Sequence, residues 1–172
     1  MIRLIEPCES YLPSYVEAFD EYEHYPRRAG NPFHDPREGD LLAHYDDMRH
    51  ERNLPQGWVG AATLWLVDDE AQRFLGQIDI RYRLTESLLR YGGHIGYAIR
   101  LGEWNKGYGT RMLALALPMA KALGIERCLI TCDDDNPGSA RVMEKNGFVL
   151  GDKVDNVIDG HAIITRRYWK TL

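Results

Sequence analysis

Residues 103–110 read Glu-Trp-Asn-Lys-Gly-Tyr-Gly-Thr and lie between a predicted strand and a long predicted helix. Two glycines two positions apart let the backbone come close to a ligand. The first amides of a helix have no partner within it, and the helix dipole adds positive charge there. The turn is therefore predicted to bind an anion such as a pyrophosphate. The candidate binding residues are Lys106, Gly107, Tyr108, Gly109 and Thr110.

A Gly-x-Gly turn alone has a second interpretation, a nucleotide-binding module that binds ATP or NAD. The spacing here lacks the third glycine of the dinucleotide fingerprint, and it is not a P-loop. Both departures count against that interpretation.

Hydrophobic periodicity predicts a strand, two helices, three strands, a helix, a strand, a helix and two strands. Helix 107–123 carries Pro118, which predicts a kink or a local break. The order predicts one α/β domain over residues 1–172, with a mixed sheet and helices on both faces. The predicted strands are 2–5, 58–67, 74–84, 94–100, 127–132, 148–155 and 161–168, and the remaining helices are 12–22, 40–52 and 137–146.

A second motif follows Gly109. Residues 136–148 read Asn-Pro-Gly-Ser-Ala-Arg-Val-Met-Glu-Lys-Asn-Gly-Phe. Together the two motifs resemble those of the GNAT acetyltransferase superfamily, whose coenzyme A motif is Q/R-x-x-G-x-G/A. The resemblance covers about residues 92–151, and stretches such as 129–133 are similar to a bacterial subgroup of predicted acetyltransferases.

The resemblance implies a three-layer GNAT-like fold with a central, mostly antiparallel sheet. It implies an N-acetyltransferase with acetyl-coenzyme A as co-substrate and no metal. A primary amine, on a small molecule or a protein N-terminus, would attack the thioester directly. In the family, the strand before the cofactor loop splays from its neighbour, and its backbone binds the pantetheine arm and polarises the carbonyl. The residues this implies are Ile99, Arg100 and Leu101, with Asn136 and Ser139 as further cofactor contacts.

Two positions depart from the family pattern. Trp104 stands at the Gln/Arg position, which puts one side-chain contact in doubt. Met143 stands where a general-acid tyrosine is frequent, and methionine cannot donate a proton. The missing tyrosine leaves open a non-catalytic acyl-CoA-binding sensor or partner protein. The pattern looks like the branch that acetylates ribosomal-protein N-termini, where the serine corresponding to Ser139 is proposed to lie near the thiol.

Candidate acid–base residues follow from the chemistry. His94 is the favoured base or water relay because of its intrinsic pKa and its place on the strand; the alternative is a simply hydrogen-bonded histidine. Glu103 is a second base candidate, or a solvated carboxylate. Asp79 points outward from its strand and is a candidate substrate contact. Ser139 is the candidate for thiolate protonation, or its hydroxyl bonds the helix terminus. Tyr97 and Tyr108 are interpreted as packing residues, and the alternative is that they flank the cofactor.

Composition limits the partners and the compartment. The formal net charge is −5, which argues against nucleic acid as the main partner. No apolar run reaches the roughly 18–20 residues of a membrane span. Three cysteines without framework spacing suit the cytoplasm, and Cys128 and Cys132 are predicted to be buried thiols rather than zinc ligands.

The acceptor side carries no readable motif. The Pro- and Gly-rich segment 25–40 is a candidate lid or a plain surface loop. A homodimer through an edge strand is a further expectation.

Overall fold

The computed structural model describes residues 1–26 and 30–172. Residues 27–29, which belong to the candidate lid segment 25–40, lie outside the described residues. The described residues form seven strands, five α-helices and short 3₁₀ turns at Glu9–Tyr11 and Leu101–Glu103. The strands are β1 (Ile2–Ile5), β2 (Ala61–Asp68), β3 (Arg73–Arg81), β4 (Ile95–Ile99), β5 (Arg127–Asp133), β6 (Val149–Ile158) and β7 (His161–Thr171). The helices are α1 (Leu12–Glu23), α2 (Leu41–His50), α3 (Glu86–Arg90), α4 (Tyr108–Ala122) and α5 (Pro137–Lys145).

The strands form two antiparallel sheets. Four strands pair in the order β1-β2-β3-β4, and three pair in the order β5-β7-β6. One isolated bridge, Gly93 with Ile130, joins the sheets among the described residues. The α/β class with antiparallel sheets and helices on both faces is therefore confirmed.

Two hydrophobic cores account for the layers. One lies between the sheets and helices α4 and α5, and it includes Ile78, Met112 and Met143. The other lies under α1 and α2, and it includes Trp65 and Phe74. Successive residues of β2 enter opposite cores, because side chains alternate between the two faces of a strand: Leu64 and Leu66 enter the first core, and Trp65 and Val67 enter the second.

Local signals explain most helix ends. Asp40 caps α2 by accepting hydrogen bonds from the amides of Leu42 and Ala43, each at 3.0 Å. Helix α4 runs through Pro118 without interruption, so the predicted local break is wrong. Flanking turns and packing of the amphipathic face against the sheet hold the helix despite the lost bond.

The predicted and observed secondary structures differ mainly at the ends of helices and strands. Strand β2 begins at Ala61 rather than at Trp58, because Gly57 takes a positive φ of 84° and Trp58 belongs to that turn. The five-residue helix α3 is absent from the predicted order. Cys128 and Cys132 are buried in one core as free thiols, as predicted, and burial raises the pKa of Cys132 to about 11.

Candidate active site

The turn into α4 presents backbone amides outward. Gly107 is the N-cap at a φ of 82°, a left-handed conformation that favours glycine, and no side chain caps the helix. The amide of Arg111 bonds back to Gly107 O at 3.1 Å. The amides of Tyr108, Gly109 and Thr110 precede that bond and carry the positive end of the helix dipole. This geometry suits an anion.

The second glycine of the turn has a packing role. A Cβ at Gly109 would lie 3.2 Å from Cγ2 of Val142 on α5 and 3.7 Å from Cγ1 of Ile99 on β4. Gly109 therefore lets α4 pack closely on both elements. At Gly107 a Cβ would meet nothing within 4 Å, so its requirement is conformational.

Lys106 and Glu103 form an ion pair at the same turn. Lys106 Nζ lies 2.9 Å from Glu103 Oε2, and Arg73 Nε lies 3.0 Å from Glu103 Oε1, an ion-pair distance without hydrogen-bond alignment. Glu103 is only 8% exposed, so the expectation of a solvated carboxylate is wrong. The ion pairs of Glu103 with Lys106 and Arg73 tie the turn to β3.

Strand β4 separates from β5 beyond their contact at Gly93. At its two ends, β4 bonds to β3 through His94 O, which accepts from Arg81 N at 2.7 Å, and Arg100 N, which donates to Leu75 O at 2.9 Å. Backbone groups of successive residues alternate between the two edges of a strand, so the N–H and C=O groups of Tyr97 and Ile99 point to the opposite edge of β4. This edge faces the gap between β4 and β5, which we call the cleft.

The three strand-end residues implied by the resemblance lie in different surroundings. Ile99 O accepts hydrogen bonds from Tyr22 Oη at 2.6 Å and from Trp104 Nε1 at 3.0 Å. Trp104 thus contacts the strand where the family has Gln or Arg. Leu101 begins the 3₁₀ turn and packs partly against the core under α1.

Arg100 points away from the cleft, into α1. It is 4% exposed, and its guanidinium lies 2.7 Å from Glu21 Oε1 and 2.9 Å from Glu17 Oε2. It also donates to Ser14 Oγ at 3.0 Å. The side chain therefore anchors α1 to the end of β4, and the Arg100 carbonyl accepts a hydrogen bond from Glu103 N at 2.9 Å.

His94 joins the two sheets. Its backbone N–H donates to Leu129 O at 2.8 Å, and its Nδ1 accepts a hydrogen bond from Leu129 N at 3.0 Å. Burial, with a smaller effect of Arg81, lowers the pKa of His94. A neutral imidazole that accepts at Nδ1 carries its proton on Nε2 and has no free lone pair. The geometry therefore favours the hydrogen-bonded alternative over the general base.

A hydroxyl pair spans the cleft on the α5 side. Tyr97 Oη lies 2.8 Å from Ser139 Oγ, and the Ser139 hydroxyl also contacts the buried thiol of Cys132. Burial raises the pKa of Tyr97, so its phenol stays protonated at neutral pH. Asn136 caps α5 through a 3.0 Å bond from Ser139 N, and Met143 is fully buried beneath the helix.

Sequence reasoning did not predict that Tyr97 pairs with Ser139. The pair joins positions 42 residues apart, so no local spacing encodes it. One signal was present: with Met143 in place of tyrosine, a different hydroxyl donor had to be sought among the tyrosines of the neighbouring strand.

A cavity of about 490 Å³ lies over β2 and β3, and α2 and α3 contribute to its walls. Asp79 lines it, as the outward alternation predicted, together with Arg81. Phe33 and His34 from segment 25–40 form part of its wall; Phe33 is buried, so this part of the segment is packed rather than a plain surface loop.

Residues 1–26 and 30–172 contain no group of three or more His, Cys, Asp or Glu side chains arranged to hold a metal ion. Among them, no helix combines the length and the apolar character that crossing a membrane requires.

Solved structures share this fold. Ribosomal-protein-S5-alanine acetyltransferase from Vibrio fischeri is 20% identical with a TM-score of 0.68, over 99% of this chain and 91% of that one. The structure of yncA from Salmonella typhimurium with its cofactor acetyl-CoA is 13% identical with a TM-score of 0.65, over 99% and 93%. The spermidine/spermine N-acetyltransferase SpeG from Vibrio cholerae is 14% identical with a TM-score of 0.66, over 99% and 95%.

Sequence comparison adds the family. No curated protein sequence matches the chain. The profile of the acetyltransferase (GNAT) domain family, however, matches residues 2–149, most of the chain. The open amide turn before α4, the separation of β4 from β5 and this match agree: the chain belongs to the GNAT acetyltransferase family.

Proposed function

We propose that the protein transfers the acetyl group of acetyl-coenzyme A to a primary amine in a single cytoplasmic domain. The observation that carries the proposal is the uncapped turn at Gly107, which opens beside the edge of β4. Two relatives agree with this chemistry, since yncA was solved with acetyl-CoA and SpeG is a spermidine/spermine N-acetyltransferase.

The cofactor follows the cleft. Its pyrophosphate lies on the amides of Tyr108, Gly109 and Thr110, where each contact with the helix dipole contributes about 0.3–1 kcal/mol. Gly109 holds the first turn of α4 against Ile99, so the pantetheine arm leads directly onto β4. The amides of Tyr97 and Ile99 along that edge then bind the arm and polarise the thioester carbonyl. Donors placed at a developing oxyanion are commonly worth about 3–4 kcal/mol.

The amine enters from the cavity over β2 and β3, the strand that pairs with β4. An ammonium first loses one proton to water, at a cost near 1 kcal/mol for an α-amine but about 4–5 kcal/mol for a lysine-like amine at pH 7. Its nitrogen then bonds to the carbonyl carbon, and the carbon–sulfur bond breaks. The nitrogen loses its second proton, and the departing sulfur takes up one proton, so that a neutral amide and a free thiol result.

Ser139 and Tyr97 stabilise that sulfur. The Ser139 hydroxyl donates to the thiolate while Tyr97 Oη donates to Ser139 Oγ, with which it already lies in contact at 2.8 Å. Two linked hydroxyls thus replace the tyrosine that Met143 displaces. This arrangement removes the main reason for a non-catalytic acyl-CoA sensor.

Thiol release from acetyl-CoA, measured with a panel of amines, tests the proposal. The panel holds amino acids, polyamines and short peptides with free N-termini, and mass spectrometry identifies the acetylated product. We expect product and free thiol in equal amounts with at least one class. If acetyl-CoA binds but no amine is acetylated, the sensor alternative replaces the enzyme.

A further inference from the structure

Two opposite charges line the cavity without contacting each other. Asp79 and Arg81 lie two residues apart on β3, so both side chains project from the same face, about 6.8 Å apart along the strand. Within the described residues, neither has an ion-pair partner within 4.0 Å. The cavity therefore offers an anion and a cation side by side.

Neutral groups hold the Asp79 carboxylate in place. Thr63 Oγ1 donates to Asp79 Oδ1 at 2.6 Å, and Gln77 Nε2 donates to Asp79 Oδ2 at 3.2 Å. The Gln77 amide is itself oriented, because Tyr45 Oη and Trp65 Nε1 both donate to its Oε1, at 2.8 and 3.2 Å. The carboxylate is thus positioned by a buried network, and no protein cation neutralises it by contact.

Backbone carbonyls hold Arg81 by one nitrogen. Its Nη1 donates to Gly92 O and Gly93 O, each at 3.0 Å. Its Nη2 lies over Gly96, where a Cβ would come within 3.1 Å of it. Gly96 is also the direct cross-strand partner of Asp79. Glycine at this position makes room for the Arg81 guanidinium itself, which packs over β4 beside the strand position that pairs with Asp79.

A second groove on the molecule shows the ordinary arrangement. Beside β1, a groove of about 510 Å³ contains Arg3 and Asp69, and Arg3 Nε lies 2.7 Å from Asp69 Oδ2. There the opposite charges satisfy each other, and the groove lies away from β4. The contrast singles out the Asp79–Arg81 cavity as a place where a ligand supplies the missing partners.

We propose, building on the acetyl transfer proposed above, that the acceptor is a free α-amino acid with an apolar side chain. Its α-ammonium binds Asp79, and its carboxylate binds the unused donors of Arg81. Its side chain lies against Met48, Trp58 and Leu88 on the cavity wall. The volume of about 490 Å³ is in the range of small-molecule sites.

This arrangement separates the acceptor classes left open by the fold. A peptide N-terminus has an amine but no carboxylate beside it, so Arg81 stays unpaired. A polyamine brings a second cation toward Arg81, which repels it. Loss of a charged partner in such a site costs about 10- to 100-fold in binding.

The test compares three matched compounds with the wild-type protein and acetyl-CoA: phenylalanine, phenylalaninamide and phenethylamine. They share the amine and the ring and differ at the carboxylate. We expect kcat/KM for phenylalanine to exceed that for the other two by about 10-fold or more. Equal or better turnover of the amide or the amine overturns the inference while leaving acetyl transfer intact. No turnover of any amine, including polyamines and peptides, overturns acetyl transfer as well.

Variants locate the effect. Arg81→Gln should remove the preference for phenylalanine over phenethylamine, whereas Arg81→Lys should keep part of it. Asp79→Asn should lower kcat/KM for all three compounds by similar factors. Because Arg81 also holds two backbone carbonyls, circular dichroism and acetyl-CoA affinity establish that each variant is folded. A folded Arg81→Gln protein that keeps the full preference overturns the inference.

Discussion

The hydroxyl of Tyr97 lies 2.8 Å from Oγ of Ser139, which connects the middle of β4 to the first turn of α5. This contact brings together a residue that the sequence indicates as catalytic and one that it indicates as packing. It also places two proton-bearing groups on the cleft side of β4. Several consequences can be measured.

Ser139→Ala should lower kcat about 10²-fold, because the departing sulfur loses its hydrogen-bond donor. Tyr97→Phe should lower kcat about 10-fold, and the double variant should be no slower than Ser139→Ala, because Tyr97 acts through Ser139. Steady-state kinetics of the three variants measure this. Tyr168→Phe is the matched control, since it removes a different tyrosine hydroxyl, one that donates to Glu144 at 2.9 Å. Multiplicative effects in the double variant would contradict the relay.

His94→Asn should retain activity, whereas His94→Ala should destabilise the protein by about 1–3 kcal/mol. The reason is that an Asn side chain can still accept a hydrogen bond from the Leu129 N–H, whereas Ala leaves that N–H buried without an acceptor. Urea unfolding gives the free energy of unfolding, and thiol release gives activity. A folded, stable His94→Asn protein without activity would instead support the interpretation of His94 as the general base.

Stability should fall as the pH drops below about 6.5. Burial lowers the pKa of both His94 and His44 from the usual value of 6.5. The unfolded chain therefore takes up protons before the folded protein does, and stability is complete above that pH and lost beneath it. Urea unfolding between pH 5 and 8 measures the slope, which His94→Asn should reduce. A slope of opposite sign, or no change in this variant, would show that other groups dominate.

Arg100→Met should destabilise the protein by about 3 kcal/mol, since it leaves Glu17 and Glu21 without their buried cation. Glu17 is 64% exposed, so we expect the lower end of the range for a broken buried pair. Acetyl-CoA affinity should change less than about two-fold, because the side chain points away from the cleft. A large loss of affinity in the folded variant would indicate a direct cofactor contact.

Much of the fold could be predicted from the sequence, because its signals are local. Asp40 and Asn136 cap helices, and alternation on β3 separates Ile78 and Ile80 from Asp79 and Arg81. The Gly107 turn also lies where the motif places it. Such features need only neighbouring residues.

The remaining site features depend on long-range packing. Gly109 contacts Val142 on another helix, and the environment of Glu103 is set by Arg73 on β3. The role of His94 depends on Leu129, 35 residues away. No pattern within one element encodes such partners, so residue type alone suggests a base at His94 and Glu103 without indicating the contacts that hold these side chains.

The most direct test of the central claim is calorimetric titration of the wild-type protein with acetyl-CoA and with acetyl-pantetheine, which lacks the pyrophosphate. Because the first amides of α4 bind that group, acetyl-CoA should bind at least about 10-fold more tightly. Equal affinity for the two compounds, or no binding of acetyl-CoA, would contradict the assignment of this turn as the cofactor site.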